Sequence, residues 1–480
     1  MGGFGPRWLA MFGCAVAGCG DPAPRSPLPQ LADRGGPVMA HPALVPIFFA
    51  DDPDSAELTA FDHWIVGSAW LAAVGSEYGV RSGSVLGAIQ LTATAPAAIT
   101  DGEIVDLLYA RLADGTLPAP DTVPGNMLYE VHFPARTVVT FGNATSCVAF
   151  GGYHESARRG GVELAYAVLP TCPGFVADHT DLEIRELVSS HELIEAATDP
   201  IPSNHPAFQL EDPTSPWLAL GEEVADLCVR GDRSATWPEA GFVAQRSWSN
   251  AAAAAGKDPC VPGQQTPYFT VSADLTSIPR IAPGKTRLIH LAGYASGAGD
   301  GFGWHIGSAP GAMDDVDLTL GRDTFDAEQT TILVVGVPDD ATAGSLLRFY
   351  VYSTGPSSYD VLPMFAVVGN QCASYTGCDD CTAHTGCGFC AATGTCEAEG
   401  ATGSADSSCP AAVFARSRGG CPGFCAAHSA SCADCSSQAG CGWCGGASPG
   451  CVEADRATGQ PLGGRCENAD WSFSPNYCPM

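Results

Sequence analysis

The segment Ser189-Ser190-His191-Glu192-Leu193-Ile194-Glu195-Ala196-Ala197-Thr198-Asp199-Pro200 concentrates side chains able to hold a metal ion and to move a proton. On a helix, residues i and i+4 share a face, so His191 and Glu195 reach one ion together. Glu192 then stands beside that ion. In helices that carry His-Glu-x-x-His, the glutamate takes a proton from water activated on zinc, and the water attacks a polarised carbonyl. Here Glu195 stands where the second histidine would be. A carboxylate is a permitted zinc ligand but a harder, charged one, so the water is less acidic and calcium or manganese competes better. The chemistry expected is a slower zinc hydrolase or a site for a different divalent cation. The structural alternative is a helix face that carries Glu192 and Glu195 for solubility, with His191 half buried beside them.

A zinc site needs a third protein ligand. Asp199 lies one turn beyond Glu195, and the run Gly221-Glu222-Glu223-Val224-Ala225-Asp226-Leu227-Cys228 offers several carboxylates. Glu222 and Asp226 are four apart, a spacing that resembles that of glutamate zincins and implies that one binds the metal while the other orients His191. Asp199 precedes Pro200, a position that ends a helix and lets the side chain cap or turn the chain instead. Together, His191 to Glu195, Thr198-Asp199-Pro200 and Glu223 to Cys228 resemble the EXORDIUM or phosphate-induced family of plants and its bacterial secreted relatives, over about residues 42–262. Tyr153-His154 and Cys172 also look similar. The resemblance implies a zincin-like metal site in an exported protein, and it aligns Glu223 rather than Glu222 with the recurrent glutamate, keeping Asp226 in register. It implies no particular substrate. His154 offers one more ligand, but a lone histidine is more often structural.

The helix that carries this chemistry opens with Thr180 and Glu183 in capping-box spacing, and Ile184, Leu187, Val188, His191 and Ile194 fall on one face. Before it, Leu44 to Phe49 reads as a strand, and Ser55 to Tyr78 as helix with Leu58, Phe61, Ile65 and Ala69 at helical spacing. Asp101 is expected to cap a further helix containing Ile104, Leu107, Leu108 and Leu112. Leu128 to Phe133 and Val162 to Leu169 read as strands. This is an α+β domain, zincin-like by resemblance. From residue 264 short strand-like runs recur at Thr286–Leu291, Thr331–Val337, Leu346–Tyr352 and Val361–Val368, with Gly, Pro and Asp turns between them. They are expected to form an all-β, immunoglobulin-like sandwich.

Sixteen cysteines lie between Cys372 and the end of the chain, spaced 6, 3, 6, 3, 6, 13, 12 and then 7, 3, 6, 3, 7, 15, 12. Two such units are an internal repeat, each expected to close on itself through disulfides rather than a large apolar core. Their Cys387-Gly388-Phe389-Cys390 and Cys441-Gly442-Trp443-Cys444 centres resemble PSI repeats, the plexin-semaphorin-integrin modules of extracellular proteins. That resemblance implies spacers or partner-binding surfaces. Cys147, Cys172, Cys228 and Cys260 complete the set, paired most simply as Cys147 to Cys172 and Cys228 to Cys260 among three possible connectivities.

With 22 cysteines the chain suits an oxidising compartment. Arg7, the short apolar run Trp8 to Ala17, and Val16-Ala17-Gly18-Cys19 resemble a bacterial lipobox, which implies lipidation of Cys19. Residues 1–19 are then the lipoprotein leader and 20–41 a Pro-rich tether. They precede the α+β domain at 42–263, the sandwich at 264–370 and the cysteine-rich units at 371–423 and 424–480. Acidic residues outnumber basic ones 52 to 22, for a net charge of -30, so nucleic acid is excluded as a partner on electrostatic grounds. No other stretch is apolar enough to span a bilayer, and the N-terminal lipid is the only membrane attachment expected.

Two functions fit. The first is an exported lipoprotein at the bacterial outer membrane or cell surface, otherwise secreted, with a zinc-dependent, peptidase-like domain acting on a peptide or protein. There His191, Glu195 and Glu223 or Asp226 bind zinc, with Asp199 in reserve, and Glu192 is the general base. The second is a non-catalytic adhesion or partner-binding protein that keeps a structural or vestigial metal.

Overall fold

The computed structural model describes residues 28–478, except 211–214, 230–234, 264–267, 274, 276, 297–303, 311–315, 326–328, 356–358, 370, 401–402, 406, 439, 447–448, 455–459, 463–465 and 467–469. The leader and Cys19 lie outside the described residues. The chain is mostly β sheet, with few helices and several domains.

The first domain is built on a six-stranded sheet in the order β3-β2-β6-β10-β9, with β4 also paired to β2. These strands are β2 (Ala43–Phe48), β3 (Ser84–Val85), β4 (Ile89–Gln90), β6 (Met127–Phe133), β9 (Tyr153–Arg159) and β10 (Val162–Pro170). All pairings are parallel except that of β10 with β9, which makes β9 an antiparallel edge. Every residue of β2 and β6 is buried, as expected of central strands covered on both faces. On one face Leu44 and Leu128 share a core with Phe61, Ile65, Leu71, Leu193 and Ile194. These come from helices α1 (Ser55–Ile65), α2 (Ala69–Gly75) and α4 (Asp181–Thr198). On the other, Val45, Ile47, Tyr129 and Val131 pack with Ile104, Val105 and Leu108 of α3 (Asp101–Ala113).

Local details depart from the sequence reading. Ser55 to Tyr78 is not one helix, because the chain turns at Val66–Gly67 and restarts with Ser68, whose hydroxyl accepts from Leu71 N at 3.0 Å. Thr100, not Asp101, caps α3, and Asp101 instead receives the hydroxyls of Tyr153 and Tyr166 at 2.9 and 2.6 Å. The distal part of the expected tether is folded. Strand β1 (Leu31–Asp33) pairs with β11 (Phe208–Leu210), and Leu28, Leu31 and Met39 join the core, so their burial outweighs the chain freedom that proline-rich composition suggests. A small sheet of β5 (Ala98–Thr100), β7 (Val138–Phe141) and β8 (Ala144–Thr145), and a hairpin of β12 (Thr236–Glu239) and β13 (Phe242–Gln245), complete the domain.

Beyond it, strands between Phe269 and Val368 form one four-stranded and one five-stranded sheet. Ile289, Leu291, Leu333 and Val335 of the first meet Phe349, Val351, Leu362 and Met364 of the second in a core continuous with that of the first domain. The cysteine-rich tail then closes as two units. In the first unit Cys372 pairs with Cys387, Cys378 with Cys421, Cys381 with Cys396 and Cys390 with Cys409. The second repeats that connectivity as Cys425–Cys441, Cys432–Cys478, Cys435–Cys451 and Cys444–Cys466.

The second unit returns to the first domain and lies against edge strand β9. Arg158 Nη2 donates to Trp471 O at 2.6 Å, Tyr477 Oη to Ser156 Oγ at 2.8 Å, and Phe473 N to Asn204 Oδ1 at 2.7 Å. The Arg158 guanidinium also sits 4.9 Å above the Tyr477 ring.

Candidate metal centre

Helix α4 positions the chemistry, and it is fixed at both ends. Thr180 and Glu183 form the reciprocal capping box, with Glu183 N donating to Thr180 Oγ1 at 3.2 Å and Thr180 N to Glu183 Oε2 at 2.7 Å. One turn in, Arg185 is buried and bonded to Asp52 Oδ2 at 2.7 Å and Asp54 Oδ2 at 2.8 Å, which ties the helix to the turn after β2. At the far end Asp199 is fully buried, and its Oδ1 accepts from Ala207 N at 2.8 Å.

Three of the residues singled out by sequence converge. His191 Nε2 is 3.1 Å from Glu195 Oε2 and 3.5 Å from Asp226 Oδ1. One ligand atom from each lies within 4.8 Å of the others. The orientation of His191 comes from β13. Its Nδ1 is 3.1 Å from Gln245 Oε1, while Gln245 Nε2 donates to Ala225 O at 2.8 Å. With the amide held that way, Oε1 accepts the Nδ1 proton and turns Nε2 toward the carboxylates.

Asp226 comes from a loop, not the helix its spacing from Glu222 suggests. Only Asp226–Cys228 forms a single 3₁₀ turn, and Asp226 Oδ2 accepts from Glu222 N at 3.1 Å and Glu223 N at 3.3 Å. Gly221 has φ +145°, and a Cβ there would fall 1.9 Å from Asp226 Oδ2, so only glycine lets the turn fold onto its own carboxylate. Glu195 Oε1 reaches across and accepts from Ala225 N and Asp226 N, both at 3.1 Å. The Cys228–Cys260 disulfide and the bond from Trp248 N to Val224 O at 2.8 Å brace the same loop.

His154, Glu192 and Glu195 form an adjoining group whose ligand atoms also lie within 4.8 Å of one another. His154, on β9, lies with Nδ1 3.5 Å from Glu192 Oε2 and 3.9 Å from Glu195 Oε2. Its Nε2 meets Asp199 O at 3.1 Å and Glu223 Oε1 at 3.4 Å. Glu223 therefore faces His154 and not His191, and Asp199 serves the chain turn with its side chain. Reading His154 as an ordinary structural histidine understates its place, since it touches both helix carboxylates. Its signal was the Gly151-Gly152 pair: a Cβ on Gly152 would lie 2.8 Å from Glu192 Oε1 and 2.6 Å from Val188 Cγ1. Gln245 carried no signal at all.

Charge is dense here. Burial opposes a charge on His191, but Glu195, Glu192 and Asp226 outweigh it and lift its pKa well above the ordinary imidazole value. Burial and the neighbouring Glu195 carboxylate raise Asp226 to about 8. Burial raises Glu223 to about 7 against the pull of His154. Burial works against ionised Glu195 as well, yet His191, His154 and the Asp226 N–H hold it below the usual carboxylate range. A divalent cation fits this donor set: it would meet the ionised Glu195 and displace the protons that Asp226 and His191 otherwise retain.

A cleft of about 300 Å³ opens onto the group. Phe150, Phe175, Val176, Leu187 and Val188 line it, with His191, Glu192, Asp226, Thr236 and Gln245 among its polar residues.

No family model matches the chain, and no curated protein matches it. Among solved structures it is similar to a conjugative transposon lipoprotein from Bacteroides eggerthii DSM 20697, at 17% identity over 20% of this chain and 95% of that one, with a TM-score of 0.17. A lipoprotein from Bacteroides thetaiotaomicron is similar at 13% identity over 23% of this chain and 87% of that one, with a TM-score of 0.18. The CsuC-CsuE chaperone-tip adhesion subunit complex of Acinetobacter baumannii Csu pili follows at 9% identity, 21% and 52% coverage, and a TM-score of 0.15.

Proposed function

We propose that the cleft is the active site of a zinc-dependent hydrolase, peptidase-like in chemistry, in an exported protein. One observation carries the reading: His191, Glu195 and Asp226 bring ligand atoms within 4.8 Å of one another beneath a cleft that Glu192 also lines. Bound zinc would supply Lewis acidity to a substrate carbonyl. The side chains do the rest. Glu192 takes the proton of the attacking water and returns it to the leaving amine. Gly152 leaves room for that carboxylate, and His154, against Asp199 O, fixes its far side. Gln245 holds His191 in the tautomer that presents Nε2. The apolar walls suit a hydrophobic side chain of a peptide.

Ten disulfides among the described residues support folding outside a reducing cytosol. Lipid attachment at Cys19 and a partner-binding role for the two PSI-like units belong to the same proposal.

The test is Glu192→Gln beside His191→Ala, each assayed for zinc by mass spectrometry and for cleavage of a mixed peptide library. Glu192→Gln should keep its zinc and lose roughly 10²–10⁴-fold in turnover, the range of general acid–base catalysis. His191→Ala should lose the zinc of this site. Zinc retained at the cleft with no cleavage by the unmodified protein leaves the non-catalytic, partner-binding reading in its place.

A further inference from the structure

A second cluster of metal-binding side chains lies deeper in the first domain, and none of its members lines the cleft. Asp62 projects from α1. Glu130 and His132, two apart on β6, face the same side of the sheet. One ligand atom from each of the three lies within 4.8 Å of the others. Each residue is at most 1% exposed, yet Asp62 Oδ2, Glu130 Oε2 and both ring nitrogens of His132 lack any hydrogen-bond partner.

Such an arrangement is costly as it stands. An unsatisfied buried polar group costs about 1–3 kcal/mol, and two carboxylates sealed together also repel. Arg185, whose charge is felt at His132, is already committed to Asp52 and Asp54. Burial pushes His132 down to about 3, so its imidazole is neutral and has a lone pair to give. Burial also raises Asp62 and Glu130, which keep protons unless a stronger cation displaces them.

We propose that Asp62, Glu130 and His132 hold a structural divalent cation of the first transition series, taken up as the domain folds. An imidazole nitrogen beside two carboxylates favours such an ion over calcium or magnesium, which collect more oxygen ligands. Ligand atoms of a tetrahedral zinc site stand about 3.4 Å apart, and these three already lie within 4.8 Å of one another. The Phe48 ring stacks on His132 at 4.6 Å between centroids and fixes its plane. The ion would tie α1 to the central strand β6.

This inference does not rest on the hydrolase reading, and counting zinc separates them. The full chain is folded with zinc, and the metal is counted in the unmodified protein, in His191→Ala, and in His191→Ala with Glu130→Gln. Two, one and none per chain are expected. One zinc that disappears in His191→Ala overturns the buried site and leaves the cleft site standing. One zinc that survives in His191→Ala and is lost with Glu130→Gln does the reverse. Should the double variant not fold, melting of His191→Ala prepared with and without zinc decides. A rise of several degrees with zinc supports the site, and no change overturns it, leaving a proton shared between Asp62 and Glu130.

Discussion

The first domain and the cysteine-rich tail reach order by different means. In the first domain two disulfides, Cys147–Cys172 and Cys228–Cys260, brace loops around a sheet whose central strands are buried on both faces. In the tail the buried clusters consist largely of the half-cystines themselves: Cys372, Cys381, Cys387 and Cys396 in one unit, and Cys425, Cys435, Cys441 and Cys451 in the other. Apolar burial leaves the first domain enough stability to tolerate buried carboxyl groups without hydrogen-bond partners. In the tail the one such group among the described residues, Cys425, Cys441 and Cys451, consists of half-cystines, which carry no charge.

The largest effect should come from opening a tail bridge. Cys432→Ser with Cys478→Ser removes a link across 46 residues, worth about 4 kcal/mol by chain entropy. The second unit should lose its amide hydrogen-exchange protection while the zinc proposed for the cleft is retained. Loss of that zinc would show that the site depends on the tail and break the comparison.

A somewhat smaller effect is expected from the opposite intervention. Ile194 is fully buried on α4, and Ile194→Ala should cost about 2–5 kcal/mol in denaturant unfolding of the first domain. Mass mapping should show all tail disulfides intact. Scrambled tail pairing would mean that the tail cannot form without its neighbour.

The third prediction sharpens the contrast through pH. Burial raises Glu186 from 4.5 to about 7, although its Oε2 accepts from Val243 N at 2.9 Å. The native state therefore binds this proton more tightly than the unfolded chain does. Its stabilising effect is fully present below about pH 4.5 and is lost as pH rises through about 7. Glu186→Gln should remove that slope, making the domain more stable than the unmodified protein at pH 8 by up to about 3 kcal/mol. An equal loss of stability between pH 5 and pH 8 in the unmodified protein and in Glu186→Gln, measured by urea unfolding, would exclude Glu186 as its source.

Local patterns were legible in the sequence and long-range ones were not. Helix α4 runs from its Thr180 cap to Thr198 as spacing and capping indicate, and both first-domain disulfides follow the simplest pairing. The helix motif identified His191, Glu192 and Glu195 because i and i+4 share a face whatever the fold. That Asp226 and not Glu223 meets His191 needed the loop geometry, since a carboxylate's direction in a non-helical turn is set by the backbone N–H groups it accepts. Gln245 meets His191 only because β13 packs on α4, at a separation of 54 residues. Asp62 and Glu130 were invisible for the same reason: a buried acid in an apolar run looks like an exposed one until its neighbours are known.

The contact between the second cysteine-rich unit and β9 has a consequence for association between molecules. Strand β9 ends the central sheet, and its outer side has no strand partner among the described residues. Trp471 to Tyr477 cover it with side chains and one carbonyl, without adding a strand. An open sheet edge is a template on which another chain can pair. A chain clipped before Phe424 would expose that template, and its first domain would be prone to pair with another copy across that edge.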